Sequence, residues 1–225
     1  NRVYLAILLI APFLYLLPYT LPLGFKGFEF SIGNDFRILY YNYKVYLLHF
    51  FSNLKFPMWS PSEAAGYPLY SNPFVQYFYP FNIILALFYK VFGGYTVVDH
   101  IRFTVLGFSI FSSGVYLWLK EIKIKQLTAF ISSLIMTLSI GSLEMIRFPN
   151  AVHTLCWFPF ILFAISSIYN SVNHFQYVKY SLFFIIFSAM SVTAGYPYYL
   201  YYFMVLLLPY VLFYQFGYTR REMYG

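Results

Sequence analysis

Long runs with almost no charged residue alternate in this chain with short segments that carry most of its charge. Such runs approach the ~20 helical residues that cross the ~30 Å hydrocarbon core of a bilayer. The pattern predicts an all-α, polytopic membrane protein with about six transmembrane helices. We expect these spans at about 4–23, 97–119, 127–143, 151–170, 178–194 and 197–216.

Three of these spans, 178–194, 197–216 and 4–23, depend on further features of the sequence. Residues 181–219 contain no charge, and at ~1.5 Å per residue a single helix of this length is nearly twice as long as a bilayer is thick. We therefore expect a turn at Gly195-Tyr196-Pro197. A cleaved signal peptide is the alternative for 4–23, but the run is long, Pro12 and Pro18 interrupt it, and no small-residue cleavage site follows.

The longest segment that does not read as membrane-spanning is the loop 24–96. Its residues 36–53 are predicted to form an amphipathic helix in the interface, with its apolar arc toward the membrane. Residues 57–80, rich in Pro, Gly, Ser and Asn, are expected to be irregular. The run 81–89 is too short to span and predicts a second interfacial or re-entrant helix, ended by Gly93-Gly94.

A helical wheel of 36–53 separates the two arcs. The apolar arc carries mostly aromatic residues and leucines, while the other arc carries Arg37, Asn42, Lys44, His49 and Asn53. Ile38, Val45 and Leu48 share this polar arc. On this pattern, we expect Lys44 to lie on the exposed side.

Composition and charge add an orientation. Hydrophobic residues make up 61% of the chain and charged residues 9%, against roughly 25% charged residues in soluble domains. The net charge of +7 does not indicate nucleic-acid binding, because the cations are spread along the chain and flank apolar runs. The positive-inside rule places the N-terminus and the basic loop 120–125 in the cytoplasm, and the loop 24–96 outside.

Cysteine and histidine usage predicts no metal site. The single Cys156 lies within an apolar run, and the four His do not have ligand spacing.

A set of short motifs carries a resemblance to a known family. In chain order they are Gly33-x-Asp35, Pro57-Met58-Trp59-Ser60-Pro61, Gly66-Tyr67-Pro68-Leu69, Phe78-Tyr79-Pro80-Phe81-Asn82, His153-x-x-x-Trp157-Phe158-Pro159 and Ala194-Gly195-Tyr196-Pro197. This order resembles the bacterial YfhO-type membrane proteins, which belong with the GT-C glycosyltransferases. The family often has Gly-Gly-Asp at the first motif and Gly-His-Pro-Gln at the last, so Asp35 matches and Tyr196 departs.

The resemblance implies an activity and a location. Such an enzyme moves a sugar from a polyprenyl-phosphate carrier to an envelope glycopolymer or a lipid acceptor, on the outer face of the bacterial plasma membrane. Its partners are the membrane lipid, the lipid-linked donor and the acceptor; a divalent metal is compatible but not indicated. Residues 1–225 then form a single GT-C-like module, the N-terminal portion of a longer protein.

Asp35 is the candidate catalytic base, because its position matches the acidic residue of these enzymes and a carboxylate can take the proton of an attacking hydroxyl. The structural alternative is that Asn34 or Asp35 caps the helix that begins at Phe36. The two roles are compatible.

Other residues are candidates for binding the substrates. Arg37, Arg102 and Arg147 are candidates for the donor phosphate, for which the guanidinium fork is suited, and Lys44 is a weaker one. The alternative is that these cations snorkel to the interface. Glu144 and His153 are candidates for sugar or acceptor binding; the alternative is an exposed loop carboxylate and a helix-end imidazole. Trp59 and Tyr67 are candidates for stacking, with interfacial anchoring as the alternative.

The competing function is a non-catalytic membrane transporter or a lipid-handling scaffold; an inactive assembly subunit is a third possibility. A transporter places ionisable groups near the bilayer midplane. In this sequence nearly all of them lie in loops or at span ends, which favours chemistry at the membrane surface.

Overall fold

The computed structural model describes residues 2–21, 32–33, 35–61 and 65–224, with the backbone alone for 214–224. Within these residues the chain is helical almost throughout, and the only strands are the two-residue β1 (Trp59–Ser60) and β2 (Tyr67–Pro68), which pair antiparallel. The predicted all-α class is confirmed. The helices are α1 (Arg2–Tyr15), α2 (Leu17–Thr20), α3 (Asn42–Phe51), α4 (Phe81–Phe92), α5 (Val97–Glu121), α6 (Gln126–Leu138), α7 (Ile140–Glu144), α8 (Pro149–Leu155), α9 (Phe158–Tyr169), α10 (His174–Thr193) and α11 (Pro197–Tyr224).

Three helical segments of the described chain are long and apolar enough to cross a membrane: Val97–Glu121, Pro149–Tyr169 and His174–Thr193. They coincide with the predicted spans 97–119, 151–170 and 178–194. A fourth is possible if Gln126–Leu138 and Ile140–Arg147, which meet at 44°, form one broken span. These apolar helices indicate a membrane protein, but the prediction of about six spans is not supported.

Two of the remaining predicted spans, 4–23 and 127–143, are shortened or broken for local reasons. The predicted span 4–23 gives the 14-residue α1 and then the short α2, because Pro18 has no N–H to continue the helical hydrogen bonds; residues 22 and 23 lie outside the described part. In 127–143 the break falls at Ser139, which is extended and whose hydroxyl caps the next helix at Ser142 N. The predicted span 197–216 lies within α11, which is apolar over Pro197–Phe213, the part whose side chains are described.

Helix α5 lies at the centre of the helical assembly and contacts α1, α6, α8 and α9. It begins with a capping box, in which Thr96 and Asp99 satisfy each other's backbone N–H. Gly107 and Gly114 allow neighbouring helices to approach α5 closely. A Cβ atom on Gly107 would lie 2.7 Å from Val152 Cγ1, and one on Gly114 would lie 2.6 Å from the Phe160 ring. Small residues at contacts are typical of packed membrane helices.

The predicted amphipathic helix is present as a π-helical turn, Phe36–Tyr41, that continues into α3. Its buried leucines pack on protein, which differs from the predicted contact with the membrane. Leu47 packs with Leu69 and Val75 of the outer loop, while Leu48, placed by the wheel on the polar arc, packs with α4. The expectation for Lys44 is also wrong, because its side chain is 2% exposed.

Helix α4 extends the predicted 81–89 run to Phe92 and ends at Gly93, whose φ of +73° is the left-handed C-cap conformation. Its inner side packs on α3 and Tyr95. Its outer side exposes Lys90 together with five large apolar side chains: Ile83, Ile84, Leu87, Val91 and Phe92. Such an exposed face is typical of a helix in the membrane interface.

Candidate functional site

The outer loop docks against the start of α8 and the end of α10. Side-chain amides donate hydrogen bonds to backbone carbonyl groups across this contact. Asn150 Nδ2 donates to Phe74 O at 2.9 Å, and Gln76 Nε2 donates to Ala194 O at 2.6 Å. Gly195 has a φ of +81°, and a Cβ atom there would lie 2.0 Å from Pro73 O. The predicted turn between the last two helices is therefore confirmed, and it lies directly against the outer loop.

Lys44 holds the inner side of this loop. Its ammonium group donates hydrogen bonds to Gln76 Oε1 at 2.5 Å and to Asn82 Oδ1 at 2.7 Å, and it lies 5.3 Å from the centre of the Phe103 ring. Burial lowers the pKa of Lys44 to about 7, because a low-dielectric environment disfavours the charged form.

His153 belongs to a second buried network. Its Nε2 lies 2.9 Å from Phe103 O, and a carbonyl can only accept, so Nε2 carries the hydrogen. Its Nδ1 therefore accepts from the Tyr79 hydroxyl at 3.1 Å, and this hydroxyl accepts from Trp157 Nε1 at 3.1 Å. Both ring nitrogens are satisfied inside the protein, so the structure assigns His153 a packing role away from any open surface.

Asp35 and Arg147 line one small cavity. It has a volume of about 130 Å³ and is lined by Gly33, Asp35, Arg147 and Phe148. Gly33 and Arg147 also line a larger cavity of about 520 Å³, which lies between the α1–α2 end and the segment that begins with α7. The Arg147 guanidinium thus adjoins a space that is large enough for a small organic ligand. The Asp35 carboxylate lies at the smaller cavity, which shares Gly33 and Arg147 with the larger one.

The carboxylate of Asp35 is not used as a helix cap. Asp35 has helical dihedral angles, φ −62° and ψ −34°, and its side chain makes no capping hydrogen bond, whereas an N-cap residue ordinarily has extended dihedral angles. The capping alternative for Asp35 is therefore wrong. The same alternative for Asn34 lies outside the described residues.

Two tyrosines lie within electrostatic range of Asp35. The pKa of Tyr40 is raised mainly by burial, and to a smaller extent by electrostatic interaction with Tyr196 and Asp35. The pKa of Tyr196 is likewise raised mainly by burial, and to a smaller extent by electrostatic interaction with Tyr198 and Asp35. Both phenols therefore stay neutral near pH 7 and keep a hydrogen to donate.

Glu144 is the other predicted residue that the structure brings to this place. It lines the 520 Å³ cavity and accepts a hydrogen bond from Arg147 Nη2 at 2.5 Å. Both side chains are more than half exposed, so this ion pair contributes little to stability. Arg147 remains accessible to a ligand.

The other predicted cations lie elsewhere. Arg37 is exposed two residues after Asp35, and residues with this spacing do not face each other on a helix. Arg102 donates from Nε to Thr20 O at 2.9 Å and pairs with Asp99 at 3.0 Å. Arg102 therefore joins the end of α2 to the start of α5, beside an apolar cavity of about 280 Å³.

The predicted stacking residues belong to the β-hairpin. Trp59 covers Gly66 so closely that a Cβ atom there would lie 2.7 Å from the indole ring. Tyr67 pairs with Ser60, and its hydroxyl accepts from Asn72 Nδ2 at 3.2 Å. The structure does not place either ring among the residues that line the Asp35 cavity.

Sequence reasoning alone does not single out Tyr40, Tyr196 or the buried role of Lys44. Tyr196 lies in the Gly195-Tyr196-Pro197 motif, so the motif is the signal that could have found it. Tyr40 is one of 26 tyrosines, and nothing in its sequence context distinguishes it.

Comparison with protein-family models, with curated proteins and with solved structures finds no match to this chain. The resemblance to GT-C glycosyltransferases therefore stays a prediction from the motifs. Among the described residues, no group of three or more His, Cys, Asp or Glu is placed to hold a metal ion. The residues around the two cavities are the features of the structure that support a function.

Proposed function

We propose that this chain is the outer-face module of a membrane glycosyltransferase that takes a sugar from a polyprenyl phosphate and gives it to an envelope glycopolymer or a lipid acceptor. The observation that supports this best is the meeting of Asp35 and Arg147 at one cavity. A second support is that an uncommitted carboxylate and an exposed guanidinium are the two groups that such a transfer needs.

The chemistry assigns one task to each group. The acceptor hydroxyl attacks the anomeric carbon of the donor sugar, and its proton passes to the Asp35 carboxylate. The bond between that carbon and the phosphate oxygen breaks, and the polyprenyl phosphate leaves with the electron pair. The Arg147 guanidinium binds the phosphate and offsets its growing negative charge.

The arrangement of the helices supports an outer-face location. Helices α5 and α6 pack together and are joined by the short basic loop at 122–125, so their other ends, next to Asp99 and Ser139, point away from that loop. Asn170 Nδ2 bonds Glu121 Oε1 at 2.9 Å, which places the start of α10 near the basic end. The positive-inside rule puts this end in the cytoplasm, and hence the Asp35 cavity on the outer side.

We extend the topology with the shorter apolar helices. In this proposal α1 with α2, the bent α6–α7 pair and the apolar part of α11 complete six membrane passages. The N-terminus is cytoplasmic, and α4 lies in the outer interface of a bacterial plasma membrane. The short length of α1 is compatible with a span that continues through the turn at Leu16.

A matched pair of arginine variants tests the proposed phosphate contact. We expect Arg147→Ala to lower kcat/KM for transfer from a polyprenyl-phosphate sugar by about 10–100-fold, since a hydrogen bond to a charged group contributes about 1.5–3 kcal/mol. Arg37→Ala removes an equal charge from an exposed position in the outer loop 24–96 but should change kcat/KM less than about threefold. The measurement is transfer by the full-length protein in liposomes, across donor concentrations.

An equal loss in the two variants would assign the effect to general surface charge and remove Arg147 from the site. Absence of transfer with any polyprenyl-phosphate sugar, from a protein that is folded and correctly inserted, would favour the scaffold function.

A further inference from the structure

Lys44 is the only lysine or arginine that is fully buried among the residues whose side chains are described. A buried ammonium ion is unfavourable unless it is paired, and the partners of Lys44 are two neutral carboxamides and an aromatic face. The other titratable groups around it are His100 and His153, with which it interacts electrostatically, and the phenols of Tyr79 and Tyr95 that bond these histidines. None of these described neighbours is a carboxylate.

A short chain of contacts leads from Lys44 to the candidate site. Lys44 bonds the carbonyl of the Gln76 side chain, and the amide nitrogen of the same side chain bonds Ala194 O. Ala194 precedes Gly195, which lies against Pro73, and Tyr196, which is within electrostatic range of Asp35. One lysine therefore sets the orientation of the Gln76 side chain that holds this turn.

We propose that Lys44 is a positioning residue that couples proton binding to the docking of the outer loop, and thereby to the placement of Tyr196 beside Asp35. The link to catalysis rests on the proposed function; the link to docking does not. Undocking of residues 72–82 removes Gln76 and Asn82 from Lys44 and returns its amine to water.

The direction of the pH effect follows from linkage. In the docked state the pKa of Lys44 is about 7, while in water it is about 10.4. Between these values the undocked state binds more protons, so docking becomes more favourable as pH rises, by up to about tenfold per pH unit. Below pH 7 Lys44 is protonated in both states, and docking no longer changes with pH through this group.

Hydrogen exchange read by mass spectrometry tests this on the full-length protein. Peptides that cover 72–82 and 194–199 should gain protection, after correction for the intrinsic exchange rate, by up to about tenfold per unit from pH 7.5 to 9. This window lies above the ordinary pKa of histidine, about 6.5, and below that of tyrosine, about 10. Peptides from the middle of α10 serve as the internal reference.

Variants separate the proton effect from a simple packing effect. Lys44→Met removes the titrating group and Lys44→Arg keeps a charge that does not titrate in this window, so both should give flat protection with pH, whatever their overall stability. Lys55→Met, at an exposed lysine near the end of the same helix, should retain the wild-type slope. Wild-type protection that does not change with pH overturns the proposal even if neither Lys44 variant folds.

The two proposals fail separately. A pH-dependent loop in a protein without transferase activity would support the docking role of Lys44 and count against the proposed function. Transfer activity whose pH profile is the same in wild type and Lys44→Arg, with flat wild-type protection, would overturn the role of Lys44 and leave the proposed function in place.

Discussion

Asp35→Asn is expected to slow sugar transfer by about 10²–10⁴-fold, because an amide cannot accept the proton of the attacking hydroxyl. Its thermal stability should stay near that of wild type, since Asp35 is exposed and makes no capping hydrogen bond. The measurement combines the transfer rate at saturating donor with a thermal unfolding curve of the same preparation. Asn also fills nearly the same volume, so the surrounding cavity is preserved.

Asp99→Asn is the matched control, since Asp99 is a carboxylate with a structural task. It accepts hydrogen bonds from Thr96 and pairs with Arg102. Loss of such a cap costs about 0.5–2 kcal/mol of stability, but the transfer rate per folded molecule should change little. If Asp35→Asn transfers sugar at the wild-type rate, Asp35 is not the base.

The second large effect is expected at Gly195. Gly195→Ala puts a Cβ atom 2.0 Å from Pro73 O and forces a φ of +81° on an L-residue. The backbone conformation costs about 1–2 kcal/mol, and relief of the clash about 1–3 kcal/mol more. We expect a total loss of about 2–5 kcal/mol in the docking of the outer loop, seen as lowered exchange protection at 72–82.

Gly93→Ala separates the two contributions. Gly93 also has a positive φ, +73°, but a Cβ atom there would meet nothing within 4 Å. It should therefore show the conformational cost of about 1–2 kcal/mol alone. Equal effects at the two glycines would mean that the close contact between Gly195 and Pro73 does not hold the loop.

The fold could be predicted from the sequence where a single local rule decides the structure. Uncharged runs located the three long helices, and the turn at Gly195 followed from the length of the last run. The breaks in the predicted spans 4–23 and 127–143 also have local causes, Pro18 and the capping side chain of Ser139. The prediction missed them because it followed the long run of apolar residues. Span prediction by hydropathy averages over such single residues.

The candidate site was less predictable, because its contacts join distant parts of the chain. The motifs indicated Asp35, and Arg147 was one of several equivalent cations until the structure placed it at the same cavity. Lys44 was misplaced because a helical wheel assumes that a charge faces water, whereas its partners Gln76 and Asn82 come from another segment. No pattern within α3 contains that information.

Photo-crosslinking tests most directly whether a polyprenyl phosphate binds in the larger cavity, with its phosphate at Arg147 next to the smaller cavity that Asp35 lines. A polyprenyl phosphate with a diazirine next to the phosphate would be added to the full-length protein in liposomes, irradiated, and mapped by mass spectrometry. We expect labels within 140–147 and 15–19, the segments that contribute to the lining of the larger cavity. Unlabelled polyprenyl phosphate should compete with this labelling, and Arg147→Ala should clearly decrease it. Labelling that is strongest on the exposed surface of α10 and that neither competitor nor Arg147→Ala reduces would contradict the claim.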